Sequence, residues 1–526
     1  MVAAAHPLAA EAGASILELG GNAFDAAAAT AATLNVVEPF MSGLAGLGYA
    51  TAWVAAERRV RVLDFVGTIP ASFPADRFTT REATWRGPQA VMPPGNLAGW
   101  CELVSRYGRM SLAEVLAPAL GLAEDGFPLA EFGCHEIEET RPQLEAFPAL
   151  HGGWAAAYGG GGHWRAGQIL RQPELARTLA VLGREGPSHL YGGPLGRQVA
   201  DHIQALGGTL TEADIAGFAP AWREPLVVPF RGLEVHLPPP PCEGFQFALT
   251  LKVLEGFDLA AMERNGLDHL DAVVRTIRLA AGQRIAHNNP DPETLARLLG
   301  EDNVAALRAR VRDGRPIVGP SEQWMPEPPP MGEDPGHTTS FSIADREGNV
   351  VCVTQSIGSP FGSGVVVPGT GICLNNFLFW ADVQPGSPSR AVPGAALPMC
   401  MSPTVSTRHG HPVLALGTPG SYGILQTQAQ ALVQHAVYGL PIRDAIEAPR
   451  ARLWDGSLVE IEPRITAEVV AGLRERGHDA RHFPADWSWR CGGLHAVAIE
   501  PETGVMTGAA DPRRDGIAAA VSRLPG

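Results

Sequence analysis

Thr338 opens the run Thr338-Thr339-Ser340-Phe341-Ser342, which alternates as a half-buried strand does. It follows a stretch in which Pro316, Pro320, Pro326, Pro328, Pro329, Pro330 and Pro335 are interspersed with Gly314, Gly319, Gly332 and Gly336. A threonine at the start of a strand is ordinarily a β former and nothing more. The abrupt boundary suggests chemistry. If the chain were cut before Thr338, the hydroxyl and a new α-amine would share one residue, and an amine with a pKa of about 8 can serve as base for its neighbouring hydroxyl. A second feature lies at 413–438. The short strand Val413 to Leu416 passes through Gly417-Thr418-Pro419-Gly420-Ser421 into a helical run, Tyr422 to Tyr438. Backbone N–H groups at Gly420 and Ser421 would point out of that helix start and can hold an oxyanion. The same pattern is also an ordinary tight connection, and the proline-rich stretch also reads as a plain linker.

Other chemistries fail on residue type or spacing. Lys252 is the one lysine among 40 basic residues, and it sits in an apolar helical run, which removes phosphate-loop nucleotide binding and most Schiff-base chemistry. His135-Glu136 has no second histidine at metalloprotease spacing, and no G-x-S-x-G elbow occurs. The 16 histidines show no metal-ligand spacing, and Tyr158-Gly159-Gly160-Gly161-Gly162 lacks a strand–turn–helix setting. Seven cysteines are scattered with no C-x-x-C pair, as in a reducing compartment. With 45% hydrophobic and 18% charged residues the chain is globular, and a net charge of −15 without a basic run excludes a nucleic-acid binder. No basic–apolar leader and no apolar span of membrane length is seen, so the expected location is cytoplasmic.

These residues must be positioned by layered α and β structure. Residues 8–37 predict two helices broken at Gly20-Gly21-Asn22. A strand at Tyr49 to Val54 has its hairpin partner at Arg59 to Phe65. Helices are predicted at 111–125, 172–183, 246–257, 267–284 and 291–311. After the proline-rich 313–337, Thr338 to Ala344 and Val350 to Ser356 form a hairpin about the turn Asp345-Arg346-Glu347-Gly348-Asn349, and 362–371 is a glycine-punctuated strand region. Helices before and strands after suggest a layered sandwich.

The chain resembles the γ-glutamyltransferase family of N-terminal-nucleophile hydrolases along nearly its whole length. The segments that carry the likeness are Gly20-Gly21-Asn22-Ala23-Phe24-Asp25-Ala26-Ala27, Pro238-Pro239-Pro240-Pro241-Cys242-Glu243-Gly244, His337-Thr338-Thr339-Ser340-Phe341-Ser342, Asp345 to Val350, Phe361-Gly362-Ser363-Gly364, Leu374-Asn375-Asn376, Met401-Ser402-Pro403-Thr404, Gly417-Thr418-Pro419-Gly420, Ala448-Pro449-Arg450 and Asp511-Pro512-Arg513. The resemblance implies an α+β fold, an αββα sandwich of two stacked antiparallel sheets, made as a precursor that cuts itself between His337 and Thr338. It implies a large subunit 1–337 with a mobile tail 313–337 and a small subunit 338–526, intertwined in one domain as a heterodimer or a dimer of heterodimers. Thr338 would be the nucleophile, its α-amine the base, Ser356 the hydroxyl that orients it, and Gly420 and Ser421 the oxyanion hole. No metal or organic cofactor is implied.

The departures from the family pattern concern the γ-glutamyl anchors. Val66 stands where an arginine is expected, Met399 and Cys400 where paired serines are, Trp380 where an acidic residue is, and Gly358 where a further asparagine is. A buried substrate carboxylate without those partners would be penalised by several kcal/mol, on the order of an unpaired buried charge. The expected pocket is therefore small or apolar, with Val66, Gly358, Asn376, Phe377, Trp380, Met399 and Cys400 as its residues, and the expected activity is hydrolysis of a small or apolar amide, with oxamate-like compounds first. Arg86 and Arg390 are candidate replacements for the missing cation. A γ-glutamyltransferase or glutathione hydrolase is the second expectation, and a non-catalytic binding scaffold the third.

Overall fold

The computed structural model describes residues 1–160, 162–321 and 337–521. Two antiparallel sheets form the centre. The first has seven strands, in the spatial order Ile517–Ala519, Val2–Ala4, His337–Ala344, Val350–Gly358, Leu47–Val54, Arg59–Asp64 and Ala221–Arg223. The second has six, in the order Met506–Ala510, His495–Ile499, His411–Gly417, Thr404–Arg408, Leu233–Leu237 and Leu226–Phe230. Strands from before and after position 338 contribute to both sheets and interleave in the first, where the His337–Thr338 peptide bond begins an inner strand.

One apolar cluster joins the outer face of the first sheet, through Phe341, Ile343, Val351 and Val353, to the helices Pro7–Glu18, Ala23–Val37, Leu112–Asp125 and Pro173–Glu185. A second joins the other sheet to the helices Phe245–Glu255, Leu267–Ala286 and Ile424–Ala436. A third, with Ala3, Val350, Cys352, Val405, Ala415 and Val497, fills the space between the sheets. The layers are thus helix, sheet, sheet, helix, the αββα sandwich that the resemblance implied.

Local chemistry explains the elements nearest position 338. The helix Ala23–Val37 is buried along its whole length, and its alanines let it lie close to its neighbours. Asn22 and Asp25 close a capping box at its start. The amide of Ala23 donates to Asp345 Oδ2 at 2.9 Å, while Asp345 Oδ1 accepts from the amides of Glu347 and Asn349. One carboxylate therefore shapes the hairpin turn and ties it to the helix. The predicted helix at 291–311 is two helices, Pro292–Leu298 and Glu301–Arg312, because Leu299 and Gly300 close one and open the next. The strand region predicted at 362–371 reduces to Val366–Val367, paired with Ile372–Cys373, since Gly362, Gly364, Gly369 and Gly371 all take positive φ. The stretch predicted as a mobile tail begins anchored: Arg275 donates to the carbonyls of Gly314 and Arg315, and Arg278 to that of Gly319. Residues 322–336 lie outside the described residues.

His6, His269 and His495 are buried, and burial pushes each imidazole down to about 4. An unfolded histidine takes its proton at about pH 6.5. Between about pH 6.5 and 5 the unfolded chain therefore binds more protons at these sites, and stability falls as pH falls. Glu38, which burial pushes up to about 7, opposes this because the folded chain protonates it first. Three groups outweigh one. The melting temperature measured by scanning calorimetry should drop on going from pH 7 to pH 5, and a His269→Gln variant should show a shallower drop.

Candidate active site

Alternation along His337–Ala344 sorts its side chains. Phe341 and Ile343 enter the helical cluster, and Thr339 on that face donates to Glu38 Oε2 at 3.1 Å. Ser342 points the other way and donates to the carbonyl of His495 at 3.0 Å in the second sheet. Thr338 and Ser340 share that face, so the Thr338 side chain looks into the space between the sheets. Thr338 is buried, and among the described residues its hydroxyl has no hydrogen-bond partner. Its own carbonyl accepts from Arg514 Nη1 at 3.3 Å.

Ser356 lies directly across the hairpin from Thr338, and the register then slips, so that Gly358 pairs with His337. At this bulge the Ser356 hydroxyl donates to the His337 carbonyl and accepts from the Gly358 amide at 2.9 Å. Sequence expectation had this hydroxyl orienting Thr338. In the intact strand it instead holds the carbonyl carbon's oxygen, because the bulge swings that oxygen toward it. Gly358 has φ +102, and a Cβ there would meet Asn376 Oδ1 at 2.0 Å. The asparagine of the family pattern cannot be accommodated at 358 while Asn376 fills that space.

The strand His411–Gly417 lies over the same face, with Gly417 paired to His495. The turn that follows carries Gly420 at φ +123 and Ser421 at φ +57. Among the described residues neither amide donates to an acceptor, and Ser421 Oγ is buried without a partner. The turn is held from behind. Arg452 Nη1 donates to the Gly420 carbonyl at 2.9 Å, a reach that needs glycine at 423, where a Cβ would overlap that nitrogen at 1.4 Å. Thr418 Oγ1 accepts from the Gly493 amide at 3.1 Å. The neighbouring Cys491 carbonyl takes hydrogen bonds from Thr427 and Arg450. Beneath them is a buried charge cluster: Arg450 meets Asp511 at 2.8 Å, Arg513 meets Asp511 at 2.9 Å, and Arg513 also bonds both oxygens of Glu462. Although burial opposes it, the two guanidinium groups hold the Asp511 carboxyl down to about 2. The Ala448-Pro449-Arg450 and Asp511-Pro512-Arg513 motifs thus brace the loop behind the Gly420–Ser421 turn.

Val66, Phe377, Trp380, Met399 and Cys400 fall in one buried apolar cluster with Tyr422, which follows Ser421. Trp380 packs edge-on to Tyr422 with ring centroids 5.6 Å apart, and the guanidinium of Arg284, paired to Glu243 at 2.8 Å, lies 4.0 Å from the centre of the Tyr422 ring. Asn376 is a brace and not a pocket donor: its amide nitrogen donates to Trp85 and Ser359, and its oxygen accepts from the Ser359 amide. Asn375 likewise bridges Ala45 and Met92. The candidate cations are engaged elsewhere. Arg86 donates to the carbonyls of Pro360 and Gly362 and to Gln143, and Arg390 pairs with Asp76.

Sequence reasoning missed Glu38, Arg514 and Arg81. Glu38 is a lone acid in the otherwise apolar Val36-Val37-Glu38-Pro39-Phe40-Met41, which was the available signal. Arg81 carried none; it donates to the Phe379 carbonyl at 2.6 Å and stacks 4.6 Å from that ring's centre, and burial draws its guanidinium down to about 10. Among the described residues no group of three His, Cys, Asp or Glu could hold a metal ion, and no helix is long and apolar enough to cross a membrane.

A family model described as gamma-glutamyltranspeptidase matches residues 9–521. The chain is 35% identical to the Acylase ACY 1 proenzyme of Pseudomonas sp. (strain V22), covering 99% of this chain and 93% of that one. It is 31% identical to the oxamate amidohydrolase proenzyme of Klebsiella pneumoniae, covering 99% and 98%. It is 30% identical to the glutathione hydrolase proenzyme of Bacillus subtilis, covering 99% and 91%. Among solved structures it superposes on a cephalosporin acylase from Bacillus halodurans with a TM-score of 0.90 at 28% identity, over 99% of this chain and 96% of that one.

Two substitutions probe this geometry. Ser356→Ala removes the donor to the His337 carbonyl and should slow any cleavage at that bond about 100-fold or more, the usual loss of one oxyanion donor, as followed by intact mass over time. Asp511→Asn leaves Arg450 and Arg513 short of a buried counter-charge and should lower stability by about 3 kcal/mol or more in urea denaturation.

Proposed function

The chain belongs to the gamma-glutamyltranspeptidase family, and on that premise we propose that it is a self-processing amidohydrolase with Thr338 as nucleophile. The observation that carries this is the Ser356 hydroxyl on the His337 carbonyl, beside a threonine whose own hydroxyl faces the space between the sheets. In maturation the Thr338 hydroxyl oxygen bonds to the His337 carbonyl carbon, the C–N bond breaks, and the hydroxyl proton ends on the Thr338 nitrogen. Water then hydrolyses the ester, leaving a carboxylate on His337 and restoring the hydroxyl. The products are a large subunit 1–337 and a small subunit 338–526. The word proenzyme in the relatives' names supports such processing.

In turnover the freed α-amine takes the Thr338 proton while the hydroxyl oxygen attacks a substrate amide carbon. The amides of Gly420 and Ser421 receive the oxyanion. The same ammonium then protonates the leaving amine, and water releases the acyl group from Thr338. The acyl group is small or apolar, because Val66, Met399, Cys400 and Trp380 are buried apolar residues where γ-glutamyl anchors would be polar. The acylase and oxamate amidohydrolase relatives are in keeping with that choice. An oxamate-like acid would still need a cation; Arg81, bonded to the Phe379 carbonyl on the Phe377–Trp380 turn, is a candidate, as is Arg284 beside Tyr422.

Intact mass under denaturing conditions tests the nucleophile: wild type should give two chains, the smaller beginning at Thr338, and Thr338→Ala a single one. A panel of anilides and oxamate tests the pocket. An apolar acyl anilide or oxamate should be hydrolysed with a kcat/KM about 100-fold above that for a γ-glutamyl anilide, the discrimination expected when a buried carboxylate lacks its partners. Equal or better use of the γ-glutamyl anilide would overturn the pocket assignment.

A further inference from the structure

His337 supplies the carbonyl that the proposed maturation attacks, and its side chain is buried, at 2% exposure. It projects to the helical face of the sheet. There His337 Nε2 lies 2.9 Å from Glu136 Oε2, on the helix Glu131–Glu145, and the imidazole packs beside Trp489 with ring centroids 6.1 Å apart. Glu136 is itself buried at 4% exposure. We propose that Glu136 is a positioning residue for self-cleavage, acting through His337. The proposal rests on Thr338 being the nucleophile that attacks the His337 carbonyl.

The argument is one of degrees of freedom. A peptide carbonyl presents the right face to a hydroxyl on the next residue only if the residue before the bond is fixed on both sides. The strand fixes the Thr338 side, and Ser356 fixes the carbonyl oxygen. Glu136 holds the side chain of the residue that carries the reacting carbon, from a helix far earlier in the chain. Nε2 and Oε2 lie at ion-pair distance without hydrogen-bond geometry, and the attraction of a carboxylate for a protonated imidazole is strengthened in a site shielded from water; a shift of about 1 Å in a reacting group can slow a reaction about 100-fold. The contact also changes meaning once the bond is cut. Hydrolysis leaves a carboxylate on His337, close to Glu136 and on the face where Glu38 accepts from Thr339, with Arg514 the cation on Thr338. The pair that aligns the bond before cleavage then meets a like charge that disfavours re-ligation. Because Glu136 touches His337 and not Thr338, its effect belongs to maturation and not to turnover.

The test uses full-length protein purified rapidly in the cold, as wild type, Glu136→Gln, His337→Gln and the double variant, with conversion to two chains followed by intact mass. Each single variant should mature about tenfold more slowly, corresponding to a loss of about 1.4 kcal/mol, and the double no more slowly than the slower single. Glu136→Asp should recover part of the rate. After full conversion, kcat/KM per cut molecule of Glu136→Gln toward an anilide substrate should stay within about twofold of wild type. Maturation of Glu136→Gln at the wild-type rate, rate losses that multiply in the double variant, or a parallel fall in kcat/KM per cut molecule would each overturn the proposal. If Glu136→Gln does not fold, as judged by its melt, Glu136→Asp carries the test, and its maturing at full rate while His337→Gln is slow overturns the proposal. Thr338→Ala separates the two claims: cleavage of that variant at the same bond removes the nucleophile assignment.

Discussion

The hydroxyl of Ser356 reaches the carbonyl of His337 because the hairpin slips by one residue at Ile357, so that Gly358 and not Ile357 stands opposite His337. A regular ladder would pair that carbonyl with backbone and leave it as inert as any other in the sheet. The bulge takes one peptide out of the ladder at the start of an inner strand, where burial protects it from water and neighbouring strands hold it still. Other features serve that slip. Asn376 occupies the space beside Gly358, Asn375 and Asn376 pin the turn that bears Phe377–Trp380, and the Asp345 turn fixes the far end of the hairpin.

The Gly420–Ser421 turn is a second layer built on the same logic. Residues 420 and 421 take positive φ, which an unsupported turn would relax. Arg452 holds the turn by its carbonyl, the loop 491–493 backs it, and the Arg450–Asp511–Arg513–Glu462 cluster holds that loop. Buried ion pairs contribute little net stability over an apolar core, but removing one partner is severe. Their use here is to fix a strained backbone in one conformation.

Much of this was legible in the sequence where residue type dictates geometry. Gly20-Gly21-Asn22 breaks two helices as periodicity demands, the Asp345-to-Asn349 turn shows as a hairpin, and Thr338 stands at a strand start. The apolar substitutions at 66, 380, 399 and 400 all fall within the apolar cluster of the second sheet. What was not legible depends on long-range placement. No local pattern says that Arg86 is tied to Pro360 and Gly362, that Asn376 faces backbone, or that Glu136, without metalloprotease spacing around it, meets His337. Arg450 and Arg513 stood out as motif residues, yet their partnership through Asp511 joins positions some 60 apart and appears only when the sheets are stacked.

Arginine does nearly all the cationic bracing in this chain. Arg275, Arg278, Arg284, Arg450, Arg452 and Arg513 are buried and each captures backbone carbonyls, a task suited to a planar, permanently charged fork. The corollary is an almost empty inventory of side-chain amines, with Lys252 alone on the outer helical layer. A protein so poor in lysine has few competitors for an electrophile that seeks a neutral amine. On the proposed cut the new α-amine of Thr338 would compete for an acylating or carbonyl reagent with little besides the Met1 α-amine and Lys252, so such a reagent would report the cut.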